Sequence, residues 1–145
     1  MYPVALIVAV LAQIPLPISD DPYYEPVNIR PDLGLKVSPK NDSVKPFKFV
    51  VRGILHTNGV EKSAACNGTV RVRFRKSNPT VAKGSTRIQP DCTYRLPLRL
   101  DLTGLGEKGR SGGTVRITAR FGGNDVLQPD AASQRKATYG RGSAQ

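Results

Sequence analysis

The chain has 145 residues, 39% of them hydrophobic and 6% aromatic, no tryptophan, and a formal net charge of +11. That length fits one domain with flanking segments, and the composition predicts a modest core packed mainly on Val, Leu and Ile. Twelve prolines and fourteen glycines favour turns over long helices, and no stretch keeps helical apolar spacing for more than about two turns.

The charge is unevenly spread. Residues 1–43 carry a net −2 and residues 44–145 a net +13. Such an excess of base attracts polyanions, whether nucleic acid, anionic wall polymer or a membrane surface. The plainer reading is a solvated charged surface together with a bias toward arginine.

In chain order, Tyr2 to Ile18 carries no charge, and Val4 to Leu11 is an apolar run. Val10-Leu11-Ala12 offers a signal-peptidase site before Gln13, although no Lys or Arg precedes the run. A secretory signal peptide is the leading expectation. An uncleaved anchor and a buried strand stay open, but spanning needs about 20 apolar residues. Gln13, Pro15 and Pro17 interrupt the run before that length. Pro15 to Pro31 holds five prolines and a cluster of acids and reads as extended linker.

The strands come next. Leu33, Leu35 and Val37 alternate with Gly34, Lys36 and Ser38 as a weak first strand, and 38–43 is a turn cluster. Phe47 to Leu55 is the second, with a bulge expected at Gly53. Thr57-Asn58-Gly59 turns the chain, and Gly68 to Lys76 is the third. Thr80 to Gln89 is the fourth, its phase unclear across Gly84; Cys92 to Leu102 is the fifth. Gly104 to Gly113 reads as a flexible connection, lacking the Lys-Ser/Thr end of a phosphate loop. Thr114 to Phe121 is the sixth, and a short seventh lies near Lys136 to Tyr139.

Strict two-residue alternation marks three of these strands. Val70, Val72 and Phe74 alternate with Arg71, Arg73 and Arg75. Tyr94, Leu96, Leu98 and Leu100 alternate with Arg95, Pro97, Arg99 and Asp101. Val115, Ile117, Ala119 and Phe121 alternate with Arg116, Thr118 and Arg120. Successive side chains on a strand point to opposite faces, so each segment has an apolar face and a polar or basic one. The pattern calls for a half-buried antiparallel structure. About seven short strands make an all-β sandwich or small barrel.

Cys66 shares the inward phase of Val70 and Val72, and Cys92 that of Tyr94 and Leu96, so both are expected near strand starts on the buried side. An oxidising compartment favours a Cys66–Cys92 disulfide; two buried thiols are the alternative.

The segment Gly113-Thr114-Val115-Arg116-Ile117-Thr118-Ala119-Arg120-Phe121, running into Gly122-Gly123-Asn124-Asp125-Val126-Leu127-Gln128-Pro129, resembles the end of bacterial immunoglobulin-like domains of secreted and cell-surface proteins. The pair Cys66 and Asp91-Cys92-Thr93-Tyr94 is similar to versions from secreted actinobacterial proteins. The resemblance covers roughly residues 31 to 140 and implies a single immunoglobulin-like antiparallel β-sandwich of about seven strands, with a structural, spacer or adhesive role. It departs from the antibody pattern in lacking a core Trp and in its Cys spacing. The expected organisation is a signal peptide or short anchor at 1–19, a proline-rich linker at 20–30, the sandwich at 31–140 and a frayed tail at 141–145.

No catalytic, cofactor or metal site can be assembled. His56 is the lone histidine, at a strand end, and the cysteines are explained by each other. Asn124-Asp125 alone offers too few oxygens for calcium. In an immunoglobulin-like order the third and sixth strands are neighbours, so Arg71, Arg73, Arg75, Arg116 and Arg120 should share one outer face. No aromatics interleave with them, which points to an acidic glycan, wall polymer or lipid headgroup rather than to sequence-specific nucleic acid. Two expectations result: a non-catalytic exported module with a structural, spacer or interaction role at the cell envelope, and alternatively a polyanion-binding module using the basic face.

Overall fold

The computed structural model describes residues 29–140. The expected signal peptide, nearly all of the linker and the 141–145 tail lie outside the described residues. Among those described, no helix is long and apolar enough to cross a membrane.

The architecture is an all-β, immunoglobulin-like sandwich of two sheets. In the four-stranded sheet, β4 (Lys48–His56) is central. Along one edge it pairs with β1 (Asp32–Leu33) and β2 (Lys36–Ser38), and along the other with β7 (Thr93–Arg99), all antiparallel. The six-stranded sheet runs β3 (Asn41–Asp42), β10 (Arg135–Gly140), β8 (Gly112–Phe121), β5 (Thr69–Arg75), β6 (Thr80–Arg87). The short β9 (Asp130–Ala131) extends β10's side of β8. The chain leaves the smaller sheet after β2 and joins the larger one at β3, which lies parallel to β10.

All seven expected strands form. The first is broken into β1 and β2, while β3 arises within the expected turn cluster and β9 after the sixth strand, giving ten. Ile29 already bonds into the fold, donating to Val126 O and accepting from Gln128 N.

The core lies between the sheets, where the alternation puts it. Val70, Val72, Phe74, Val115, Ile117, Ala119 and Phe121 are buried from one side; Phe49, Val51, Leu55 and Tyr94 from the other. By number the core is mainly aliphatic, as expected: Val, Leu and Ile supply twelve of its 24 buried hydrophobic residues and Phe and Tyr six. All four phenylalanines are buried, and Tyr94, Tyr139, Phe49, Phe74 and Phe121 head the fully buried side chains by size. Phe49 meets Phe74 across the sandwich at 5.7 Å between ring centroids, and Phe47 meets Tyr139 at 5.2 Å. Tilted pairs of this kind stabilise beyond the area they bury.

Three local expectations also change. Gly53 is not a bulge: β4 runs in regular register there, with Gly53 opposite Tyr94. A Cβ at Gly53 would run into the backbone of Gly34 and the Tyr94 ring, so glycine serves close approach of the β1–β2 link. The irregularity lies instead in the β5–β6 ladder, between Phe74 and Arg75. The glycine-rich connection is not loose. It forms a short helix, α2 (Glu107–Ser111), held by Arg110 Nη1 donating to Leu105 O at 2.6 Å and Tyr139 OH donating to Gly109 O at 2.6 Å.

The disulfide Cys66–Cys92 forms, with Cα atoms 4.7 Å apart, within the range a disulfide spans. Both cysteines lie just ahead of strand starts, as the phase reading expects, Cys66 before β5 and Cys92 before β7. Cys66 caps a one-turn helix, α1 (Lys62–Ala65), and Cys92 sits at φ 69° in the turn before β7. Both are buried. A short helix, not extended chain, precedes Cys66, and the bond ties the β4–β5 connection to the start of β7. The Asn124 side chain reinforces that end. Its Nδ2 donates to Ala65 O and Asn67 O, and its Oδ1 accepts from the Val126 and Leu127 N–H groups.

Candidate functional site

The β5 segment TVRVRFR and the β8 segment GGTVRITARF turn every second residue to solvent. The register then sets bases opposite bases. Arg71 faces Arg120 and Arg75 faces Arg116, while Arg73 faces Thr118. The five arginines expected to share a face do share one. The neighbouring strands extend it. Lys83 lies opposite Arg73, Arg87 opposite Thr69, and Lys136 opposite Arg116. The remaining outward positions of this sheet are Thr, Ser, Asn and Ala, without an acid among them. All eight bases are exposed. The one ion pair found among the described residues, Arg30 with Asp130 at 3.9 Å, is elsewhere.

Facing strand residues have Cα atoms about 4.5–5.5 Å apart, and alternate residues on one strand lie about 7 Å apart. Arg71, Arg73 and Arg75 thus form a row along β5 flanked by bases on both sides. Each like-charged facing pair costs from a few tenths to about 1 kcal/mol, relieved in part as long stems fan outward. A shallow depression of about 580 Å³ opens among Arg71, Arg73, Lys83 and Arg120, with Ser85 and Thr118 on its lining. Guanidinium forks suit bidentate contacts to carboxylate, sulfate or phosphate oxygens, and the hydroxyls can complete them. No aromatic ring stands on this face, so base stacking has no platform.

Lys83, Arg87 and Lys136 were missed in sequence reasoning because Gly84 obscured the phase of β6 and the seventh strand was short. Gly84 is in regular ladder with Val72, facing inward beneath Leu96 and Leu98. Counting from Ala82, the partner of Phe74, places Lys83 outward, whereas counting from Val81 runs through the ladder irregularity and places it inward. His56 ends β4, exposed, with Asp32 opposite on β1. The Asn124 oxygen considered for calcium already accepts two backbone N–H groups.

No protein-family model matches the chain, and no curated protein does. Among solved structures it is similar to AggA, the major subunit of aggregative adherence fimbriae type I from Escherichia coli. The likeness has 9% identity and a TM-score of 0.41, and covers 78% of this chain and 95% of that one.

Proposed function

We propose that the protein is an exported, non-catalytic immunoglobulin-like interaction module of the cell envelope, and that its larger sheet holds an extended anionic polymer. The observation that carries this is the set of eight bases on adjacent strands with no acid among the outward positions of their sheet. A surface kept soluble by charge would mix signs; this one pays for repeated like-charge facing pairs, which an anionic partner would relieve. The Cys66–Cys92 disulfide favours an oxidising compartment outside the cytoplasm, in line with the uncharged N-terminal run. An acidic glycan or a wall polymer meets the bases there.

The test is retention on immobilised heparin and on isolated anionic wall polymer at two salt concentrations. Counterion release makes such binding fall steeply with salt. Replacing Arg73 and Arg116 with serine should weaken retention markedly, while a thermal melt stays within about 0.5 kcal/mol per exposed site. Unchanged, salt-insensitive retention in the double variant would leave a plain structural module.

A further inference from the structure

The opposite face of the sandwich is built on the same plan. β4 and β7 turn Lys48 against Arg99 and Arg52 against Arg95, and β2 brings Lys36 beside Arg52. All five bases are exposed. The acids in phase with this face lie at its ends: Asp32 opposite His56, and Asp101 just past β7 beside Arg99. Together the two faces hold thirteen of the chain's 22 lysines and arginines. The sheets turn their backs to each other across a core about 10 Å thick, so the two basic surfaces look in opposite directions.

We propose that the smaller sheet's outer face is a second polyanion-binding surface, so that one chain bridges two strands of anionic polymer. The inference rests on the polyanion reading of the larger sheet and extends it from coating a polymer to cross-linking it. Three like-charged facing pairs, Lys48–Arg99, Arg52–Arg95 and Lys36–Arg52, repeat here the arrangement that marks the larger sheet. A short, stiff anionic segment seated on one face cannot reach the other, so the two surfaces fill independently. The smaller face is not a copy. Val50 and Pro97 stand between its base pairs, and Ile54, 49% exposed, stands just beyond Arg52. Part of any contact there is apolar, and binding should depend less steeply on salt than on the all-polar face. A long polymer held on both sides of each chain is drawn into a network, and the linkage is lost once either face is disabled.

The experiment measures stoichiometry with the full chain and a short heparin oligosaccharide, by calorimetry and sedimentation, with short inorganic polyphosphate as a second arm to separate sulfate from phosphate recognition. Two oligosaccharides per chain are expected. Arg52→Ser with Arg95→Ser should leave one, as should Arg73→Ser with Arg116→Ser. Circular dichroism and melting confirm that each variant stays folded. With long heparin, wild type should give a light-scattering maximum that clears in excess protein, and each two-site variant should bind without it. If Arg52→Ser with Arg95→Ser still binds two oligosaccharides, or wild type binds one that only the Arg73 and Arg116 changes remove, the second surface is overturned and the first stands. If wild type binds none, the polyanion reading falls for both faces.

Discussion

The two sheets put bases on their outer faces in similar fashion but reach their inner faces differently. In the larger sheet the inward residues of β5 and β8 are Val70, Val72, Phe74, Val115, Ile117, Ala119 and Phe121, without a break. In the smaller sheet the inward run of β4 includes Gly53, and the Leu96 and Leu98 side chains of β7 are only half-buried. The β5–β8 pair at the middle of the larger sheet is thus a regular alternating lattice that any long apolar–polar repeat would build. The smaller sheet is shaped by what crosses it: the link between β1 and β2 passes so close to β4 that one residue gives up its side chain. Tyr94 seals the crossing, its hydroxyl donating to Gly34 O at 2.6 Å, and burial pushes its phenol pKa well up. A regular sheet tolerates substitution wherever the phase is kept; a crossing does not.

The largest effect should come from cutting the tie between the sheets. The disulfide joins α1, just ahead of β5 of the larger sheet, to the turn ahead of β7 of the smaller. For a sequence separation of 26, chain-entropy reasoning gives a loss of about 3.5 kcal/mol on replacing both cysteines with serine. Denaturant unfolding measures this, and thiol labelling of the exported, denatured, unreduced protein should find no free thiol. Two labelled cysteines per chain would mean that the sheets are held by packing and by hydrogen bonds between them, such as Arg135 Nε to Leu35 O and Leu33 N–H to Asp130 Oδ2.

A glycine in each sheet sharpens the comparison. Gly53→Ala forces a methyl group against the Gly34 backbone and the Tyr94 ring, and overpacking against main chain that cannot yield should cost about 3 kcal/mol. Gly84→Ala meets only the Leu98 and Leu96 methyl groups, at 3.1 and 3.3 Å respectively. Those side-chain ends can rotate, and alanine is otherwise preferred over glycine in a strand. The change should therefore stay within about 1 kcal/mol. Paired thermal melts decide it. Equal losses at the two sites would show that the crossing is no tighter than the lattice.

The same contrast explains what could be read from the chain alone. Arg71 to Arg75 and Arg116 to Arg120 were legible because period-two alternation sets the face of every residue, and the neighbour relation of the two strands follows from an immunoglobulin-like order. Gly53 was misread as a bulge because a glycine in a strand signals either irregularity or close approach, and only the partner chain segment, nineteen positions away at Gly34, tells which. The cysteines were legible as a buried pair just ahead of two strands, although the one-turn α1 before Cys66 leaves no periodic signature. The second basic face was present in the alternation of Arg95 and Arg99, but reading it as a surface needs the β4–β7 register that sets Arg52 and Lys48 opposite them.

The smallest effect concerns acid, and it should single out the smaller sheet. Asp91 and Asp101 bracket β7, and each accepts from both the backbone N–H and the hydroxyl of the threonine two residues on, Thr93 and Thr103. These bonds favour the ionised carboxylates and hold both pKa values below the usual 3.8, the side-chain hydroxyl being the larger cause. Because the folded values are depressed, their stabilisation is fully present above the unfolded aspartate pKa and is lost as pH falls through the folded ones. Both groups are fully exposed, so solvent keeps the contribution small. The larger sheet's strands β5 and β8 have no such pair at their ends. Amide hydrogen exchange compared at about pH 5 and about pH 2.5, after correction for intrinsic rates, should therefore show the ends of β7 loosening ahead of β8 as the carboxylates protonate. Asp91→Asn with Asp101→Asn should remove that pH dependence. If β7 and β8 lose protection together, acid acts on the sandwich as a whole, and the two turns contribute nothing particular to the smaller sheet.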